Sequence, residues 1–158
     1  MNKILLIIAL IIYTSSHAVA QTWGIATSKN EKLGTAIVFR YVDQFDKNFN
    51  RSSQPDRIII DWHYKGEKGM PSQQEKERMD ALEDALAVEI ETNGFATLSL
   101  VSTGDNLREW IYYSKSEATF LDKLNKILAK NPSFPIDIHT AKDQEWSSYQ
   151  RFRFELKE

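Results

Sequence analysis

Arg57-Ile58-Ile59-Ile60-Asp61-Trp62-His63-Tyr64 is the clearest strand in the chain, three consecutive isoleucines followed by aromatic residues alternating with polar ones. Gly66-Glu67-Lys68-Gly69-Met70-Pro71 ends it in a loop. Ser72 and Glu75 then form a capping-box pattern, in which each side chain can satisfy the other residue's backbone N–H. Behind that cap Met79, Leu82, Leu86 and Ile90 recur at helical spacing. Glu75, Glu77, Asp80, Glu83 and Asp84, mixed with Lys76 and Arg78, read as the solvated side of this helix. Asn93-Gly94 stops it, with Gly94 suited to a left-handed cap.

The pattern continues in both directions. Phe95 to Thr103 is a strand with Ala96, Leu98 and Leu100 on one side and Thr97 and Ser99 on the other. Gly104-Asp105-Asn106 turns the chain, and Leu107 to Ser114 returns as its partner. Ser116 caps a second helix whose stripe is Phe120, Leu121, Leu124, Ile127 and Leu128, broken at Asn131-Pro132-Ser133. Phe134 to Thr140 is a short strand. Residues 57–140 therefore run strand, helix, strand, strand, helix, strand, the split βαβ order of ferredoxin-like α+β folds with two helices on one sheet face. Upstream, Trp23 to Ser28 and Gly34 to Val42 form a hairpin around Lys29-Asn30-Glu31-Lys32, followed by a polar loop over 43–55. Downstream, 141–158 begins with a helical turn and ends in the strand-like alternation Arg151-Phe152-Arg153-Phe154-Glu155-Leu156. These terminal segments, 21–56 and 141–158, extend or cover the sheet.

The first twenty residues stand apart. Lys3, the unbroken apolar run Ile4 to Tyr13, and small residues at Ala18 and Ala20 have the three-part form of a secretory signal peptide. The apolar run is half of the roughly 20 residues that a membrane-spanning helix needs. Cleavage after Ala20 removes one lysine from a 158-residue chain of net charge −2 and leaves 138 residues at −3. The expected destination is the periplasm or the medium, without a membrane anchor once the signal is removed. Net negative charge argues against binding a phosphate backbone. With 0 cysteines, disulfides, thiol nucleophiles and Cys-ligated metals are excluded. The glycines are scattered turn residues, so no phosphate-cradling loop exists and no cofactor is expected.

Gly69-Met70-Pro71 before a helix carrying Leu82-Glu83-Asp84, Thr103 with Arg108-Glu109-Trp110-Ile111-Tyr112-Tyr113, and Asp143-Gln144-Glu145-Trp146-Ser147-Ser148-Tyr149 together resemble domain-of-unknown-function family 695, a bacterial family. Trp23 and the Gly34–Val42 strand resemble the N-terminal hairpin of that family. The Asp-x-Glu-Trp-x-x-Tyr tail is also similar to the ribonuclease E inhibitor family, regulator of ribonuclease activity B, which has a related α+β fold. The first resemblance implies a fold over nearly all of the chain from residue 21, and no catalytic residues.

Two constellations carry chemistry. Asp61 and His63, two apart on a strand, share a face and could serve a hydrolase-like reaction as an oriented acid–base pair; two polar residues on the solvent side of a half-buried strand explain the same spacing. His63 and His139, at the ends of antiparallel neighbours, are about 20 Å apart on strand geometry, which excludes a shared metal. If Leu107 and Ile111 face the helices, Arg108, Trp110 and Tyr112 face the open side of a central strand, where they could stack single-stranded nucleic acid or bind another protein. The competing reading covers that face with the terminal segments and makes it a second core, in which Trp146 and Tyr149 are buried. The leading expectation is a non-catalytic domain that binds a protein partner in the envelope or outside the cell.

Overall fold

The computed structural model describes residues 21–130 and 134–156. The expected signal segment and the break at Asn131-Pro132-Ser133 lie outside those residues. The elements are β1 (Thr22–Asn30), β2 (Thr35–Gln44), β3 (Asp56–His63), α1 (Gln73–Ile90), β4 (Ala96–Gly104), β5 (Leu107–Ser114), α2 (Glu117–Ala129), β6 (Ile136–Lys142) and α3 (Ser147–Glu155), with short 3-10 turns at Arg51–Ser53 and Thr92–Gly94. The six strands form one antiparallel sheet in the order β1-β2-β4-β5-β3-β6. The β1–β2 hairpin extends the sheet beyond β4.

Local chemistry explains the boundaries. The Ser72 hydroxyl accepts from Glu75 N (3.2 Å) and opens α1, while Ser116 accepts from Thr119 N (3.3 Å) and opens α2. The Glu75 carboxylate is turned to the Trp62 indole, so only half of the expected capping box is used. Asp105 and Asn106 both adopt positive φ (50° and 64°), the backbone a two-residue hairpin turn between right-twisted strands requires.

The main core lies between the sheet and the two longer helices. Ile58, Ile60 and Trp62 of β3, Trp110 and Tyr112 of β5, and Ala96, Leu98 and Val101 of β4 meet Met79, Leu82, Leu86 and Ile90 of α1 and Phe120, Leu124 and Ile127 of α2. Strict alternation along β4 fails at a bulge between Leu98 and Leu100. The extra residue, Ser99, donates to Ile111 O (2.8 Å), so Val101 joins Leu98 on the helix side and Leu100 turns to the other face.

The opposite face is covered in part by the C-terminal segment. The alternating run 151–156 forms the end of helix α3 rather than a strand. Phe152 packs on Phe39 and Tyr41 of β2, at ring-centroid distances of 5.2 and 5.4 Å. A second, aromatic cluster of Tyr113, Trp146 and Tyr149 lies beside it, with Phe45, Phe49 and Ile111 against it.

Candidate functional site

Arg108, Trp110 and Tyr112 lie beneath the helices, the reverse of the expected facing. Arg108 is 8% exposed and the two aromatic residues are fully buried. The reason is register: Trp62, Ile60 and Ile58 stand directly opposite Arg108, Trp110 and Tyr112, and the whole set turns toward α1. Leu107, Glu109, Ile111 and Tyr113 take the other face. A buried stacking platform cannot meet bases.

Carboxylates of α1 reach down to the polar tips of this row. Trp62 Nε1 donates to Glu75 (2.6 Å), Trp110 Nε1 to Glu83 (2.7 Å) and the Tyr112 hydroxyl to Glu91 (3.5 Å). Arg108 donates to Asp80 (3.0 Å) and Glu83 (3.4 Å), and Arg40 of β2 pairs with Glu83. Residues read as a solvated helix side thus form a polar seam between helix and sheet. Burial, reinforced by the charge of Glu83, raises the Glu91 carboxyl above its usual range, and burial with Glu91 nearby raises the Tyr112 phenol. For Asp80, burial works upward but is outweighed by hydrogen bonds from Lys76 and Arg108, which hold it low. The eight-residue recurrence of Glu75, Glu83 and Glu91, set against buried aromatic residues that need polar partners, was the available signal for this seam.

On the opposite face, register aligns Ser102 of β4, Glu109 of β5, Asp61 of β3 and Asp137 of β6 in one cross-strand row. His63 shares the face with Asp61 and is exposed, but the imidazole that reaches Asp61 is that of His139, whose Nε2 lies 3.2 Å from Oδ2. Pairing of Ile59 with His139 sets this diagonal contact, which intramolecular spacing along β3 does not reveal. It also sets the two histidines four residues apart in register, about 13 Å rather than about 20 Å. Burial raises the Asp61 carboxyl, opposed by the nearby His139 and His63. Its Oδ1 is buried and unpartnered among the described residues. Ser102 donates to Glu109 (3.0 Å), so its hydroxyl is committed to a carboxylate rather than to an imidazole. Among the described residues no group of three or more His, Asp or Glu side chains could hold a metal ion.

The aspartate-tryptophan-tyrosine tail is an architectural joint. Asp143 accepts from Ser147 N (2.7 Å), Ser148 N (3.2 Å) and the Tyr113 hydroxyl (2.8 Å). Burial opposes ionisation there, yet these hydrogen bonds prevail and lower the carboxyl to about 2. Trp146 sits in the left-handed region (φ 56°), stacks on Tyr113 at 3.9 Å and 8°, and donates its indole N–H to Gln54 O (2.9 Å) and Arg51 O (3.1 Å). The Tyr149 hydroxyl donates to Val42 O, which ties α3 to β2.

Large apolar side chains are exposed at several places among the described residues, including Leu33, Val88 and Phe154, and on β1, the terminal strand of the sheet, Trp23 is 39% and Ile25 75% exposed. A family model described as "Family of unknown function (DUF695)" matches residues 21–154, from the start of β1 to the last turn of α3. The chain belongs to this family. The match to DUF695 takes in the seam under α1, the cross-strand row, the Asp143–Tyr149 joint and the β1 edge together. No curated protein and no solved structure matches the DUF695 chain.

Proposed function

We propose that this DUF695 domain is an exported, non-catalytic protein-binding module that accepts an extended partner segment along β1. The observation that carries the reading is the state of that edge. β1 is nine residues long, carries no charged side chain from Thr22 to Ser28, and holds Trp23 and Ile25 open to solvent. An unpaired edge of this kind is a template for strand addition, with backbone hydrogen bonds giving affinity and alternate side chains giving specificity. The opposite edge, β6, carries Asp137, His139 and Lys142, the charged pattern that discourages pairing.

Export is supported by the sequence of the first twenty residues, with its basic start, short apolar run and small residues before Gln21. A ferredoxin-like core, β3-α1-β4-β5-α2-β6, is supported by β3 lying between β5 and β6, with the hairpin appended at β4.

Photo-cross-linking from a benzophenone side chain at position 27 tests the reading in cells of the source organism. A discrete adduct that disappears with Ala26→Pro, which alters the β1 backbone, is the expected result. Adducts unaffected by that change, or none, overturn the strand-addition reading.

A second reading, hydrolase-like acid–base chemistry, is favoured by the Asp61–His139 contact and the raised Asp61 carboxyl. It replaces His63 with His139 as the orienting imidazole. Hydrolysis of an ester or amide panel that is lost in both Asp61→Asn and His139→Gln, with unchanged thermal stability, would favour it over the binding module.

A further inference from the structure

Between α1 and the hairpin extension, the helix side of the sheet is left partly uncovered, and a groove of about 310 Å³ forms there. Its floor runs across the strands, from Ile25 on β1 through Val38 on β2 to Val101 on β4, and ends at Arg108 on β5. Arg40 and Lys76 also line it. That size stands at the lower end of small-molecule sites, which are mostly apolar with a few convergent polar groups.

Two features give this groove a chemical preference. The first is charge: Arg40, Lys76 and Arg108 are three cations, and the carboxylates that pair with them are two, Asp80 and Glu83. Three cationic side chains thus converge where the apolar floor ends. The second is Arg108 itself. Its two terminal nitrogens are held by Asp80 and Glu83, but Nε is buried and has no acceptor among the described residues. A guanidinium keeps its charge and all five N–H donors, and a buried donor without an acceptor is costly. An acceptor arriving through the groove would remove that cost.

We propose that this groove is a binding site for a small amphiphilic monocarboxylate, with its carboxylate among Arg108, Arg40 and Lys76 and its hydrocarbon over Val101 and Val38 toward Ile25. A single unpartnered donor and an apolar floor favour a monocarboxylate over a doubly charged phosphate. The site shares Ile25 with the β1 surface, but its carboxylate end at Arg108, Arg40 and Lys76 lies on the helix side of the sheet, away from the outer backbone edge that strand addition uses.

Octanoate is the probe, with butyrate, octanol and octylamine as comparisons, titrated into the folded domain and followed by ¹⁵N–¹H NMR. The Arg108 Nε–H resonance is the direct reporter, because a contact on the hydrocarbon alone leaves it in place. Octanoate should saturate with Kd of about 1 mM or tighter, move that resonance, and bind about tenfold more tightly than butyrate. Octanol and octylamine should leave the Nε–H unmoved. Lys76→Glu, on the exposed face of α1, should weaken octanoate by about tenfold without unfolding the domain. An Arg108 Nε–H that does not respond to octanoate, or that responds equally to octanol, overturns the proposal. So does unchanged octanoate affinity in Lys76→Glu.

Discussion

Trp110 Nε1 donates to Glu83 Oε2 at 2.7 Å, a hydrogen bond between the centre of the sheet and the middle of α1. The same carboxylate takes Arg108 and Arg40, so one side chain holds an indole and two guanidiniums. Glu83→Ala leaves three donors without their acceptor, two of them charged. Removing one partner of a buried charged network costs about 3–5 kcal/mol, and partial solvent access at Glu83 lowers the expectation to about 2–4 kcal/mol. Glu83→Gln, which keeps an acceptor but not the charge, should cost less. Urea unfolding followed by tryptophan fluorescence measures both.

The stack of Trp146 on Tyr113 holds the C-terminal helix to the sheet. Trp146→Ala removes a fully buried indole and should cost about 3–5 kcal/mol. Trp146→Phe keeps an aromatic face but loses the N–H that serves Gln54 O and Arg51 O. Its cost should be about 1–3 kcal/mol, the range for an unmet buried acceptor. Near-UV circular dichroism should report loss of the stack in the alanine variant and its partial retention in the phenylalanine variant.

Element order was legible because Ile58, Ile59 and Ile60, the Met79–Ile90 stripe and the turn at Asp105-Asn106 each carry a local signal that tertiary packing did not override. The facing of β5 was not, because both of its faces carry large side chains: Leu107, Ile111 and Tyr113 on one, Trp110 and Tyr112 on the other. Where both faces are covered, alternation gives the period and leaves the phase open. The Phe152–Phe154 alternation misled for a related reason, since Tyr149, Phe152 and Arg153 also satisfy the three- and four-residue spacing of a helix. His139 was missed as the partner of Asp61 because that contact exists only through the β3–β6 register.

Gly104 lets the end of β4 lie close against the hairpin. A Cβ there would lie 2.3 Å from Ala36 O and 2.7 Å from Ile37 Cα, with backbone on both counts, and φ is +157°. Gly104→Ala must therefore move β2 away from the end of β4. The expected loss is about 1–3 kcal/mol, the range for overpacking. Its signature should be regional: faster amide exchange along β1 and β2, with β3, β5 and β6 exchanging as before.

Two carboxyls should give the stability profile opposite slopes in acid. Asp143 is held at about 2 against a usual 3.8, so the folded state favours its ionised form. Its stabilisation is complete above about pH 4 and disappears as pH falls toward 2. Glu91 is raised above its usual 4.5 by burial and the charge of Glu83, so the folded state favours its protonated form. Its effect has the reverse sign: stability falls as pH rises through 4.5 to the folded value, and the deficit persists above it. Asp143→Asn should thus lower the melting temperature at pH of about 7 and converge on the wild-type value near pH 2. Glu91→Gln should raise the melting temperature at pH of about 7, with a gain that shrinks as the pH falls from the folded value toward 4.5 and is largely gone below it. Thermal unfolding of the three proteins from acid to neutral pH measures both slopes. An Asp143→Asn deficit that does not shrink in acid would show that the side chain acts through its cap geometry and not through its charge.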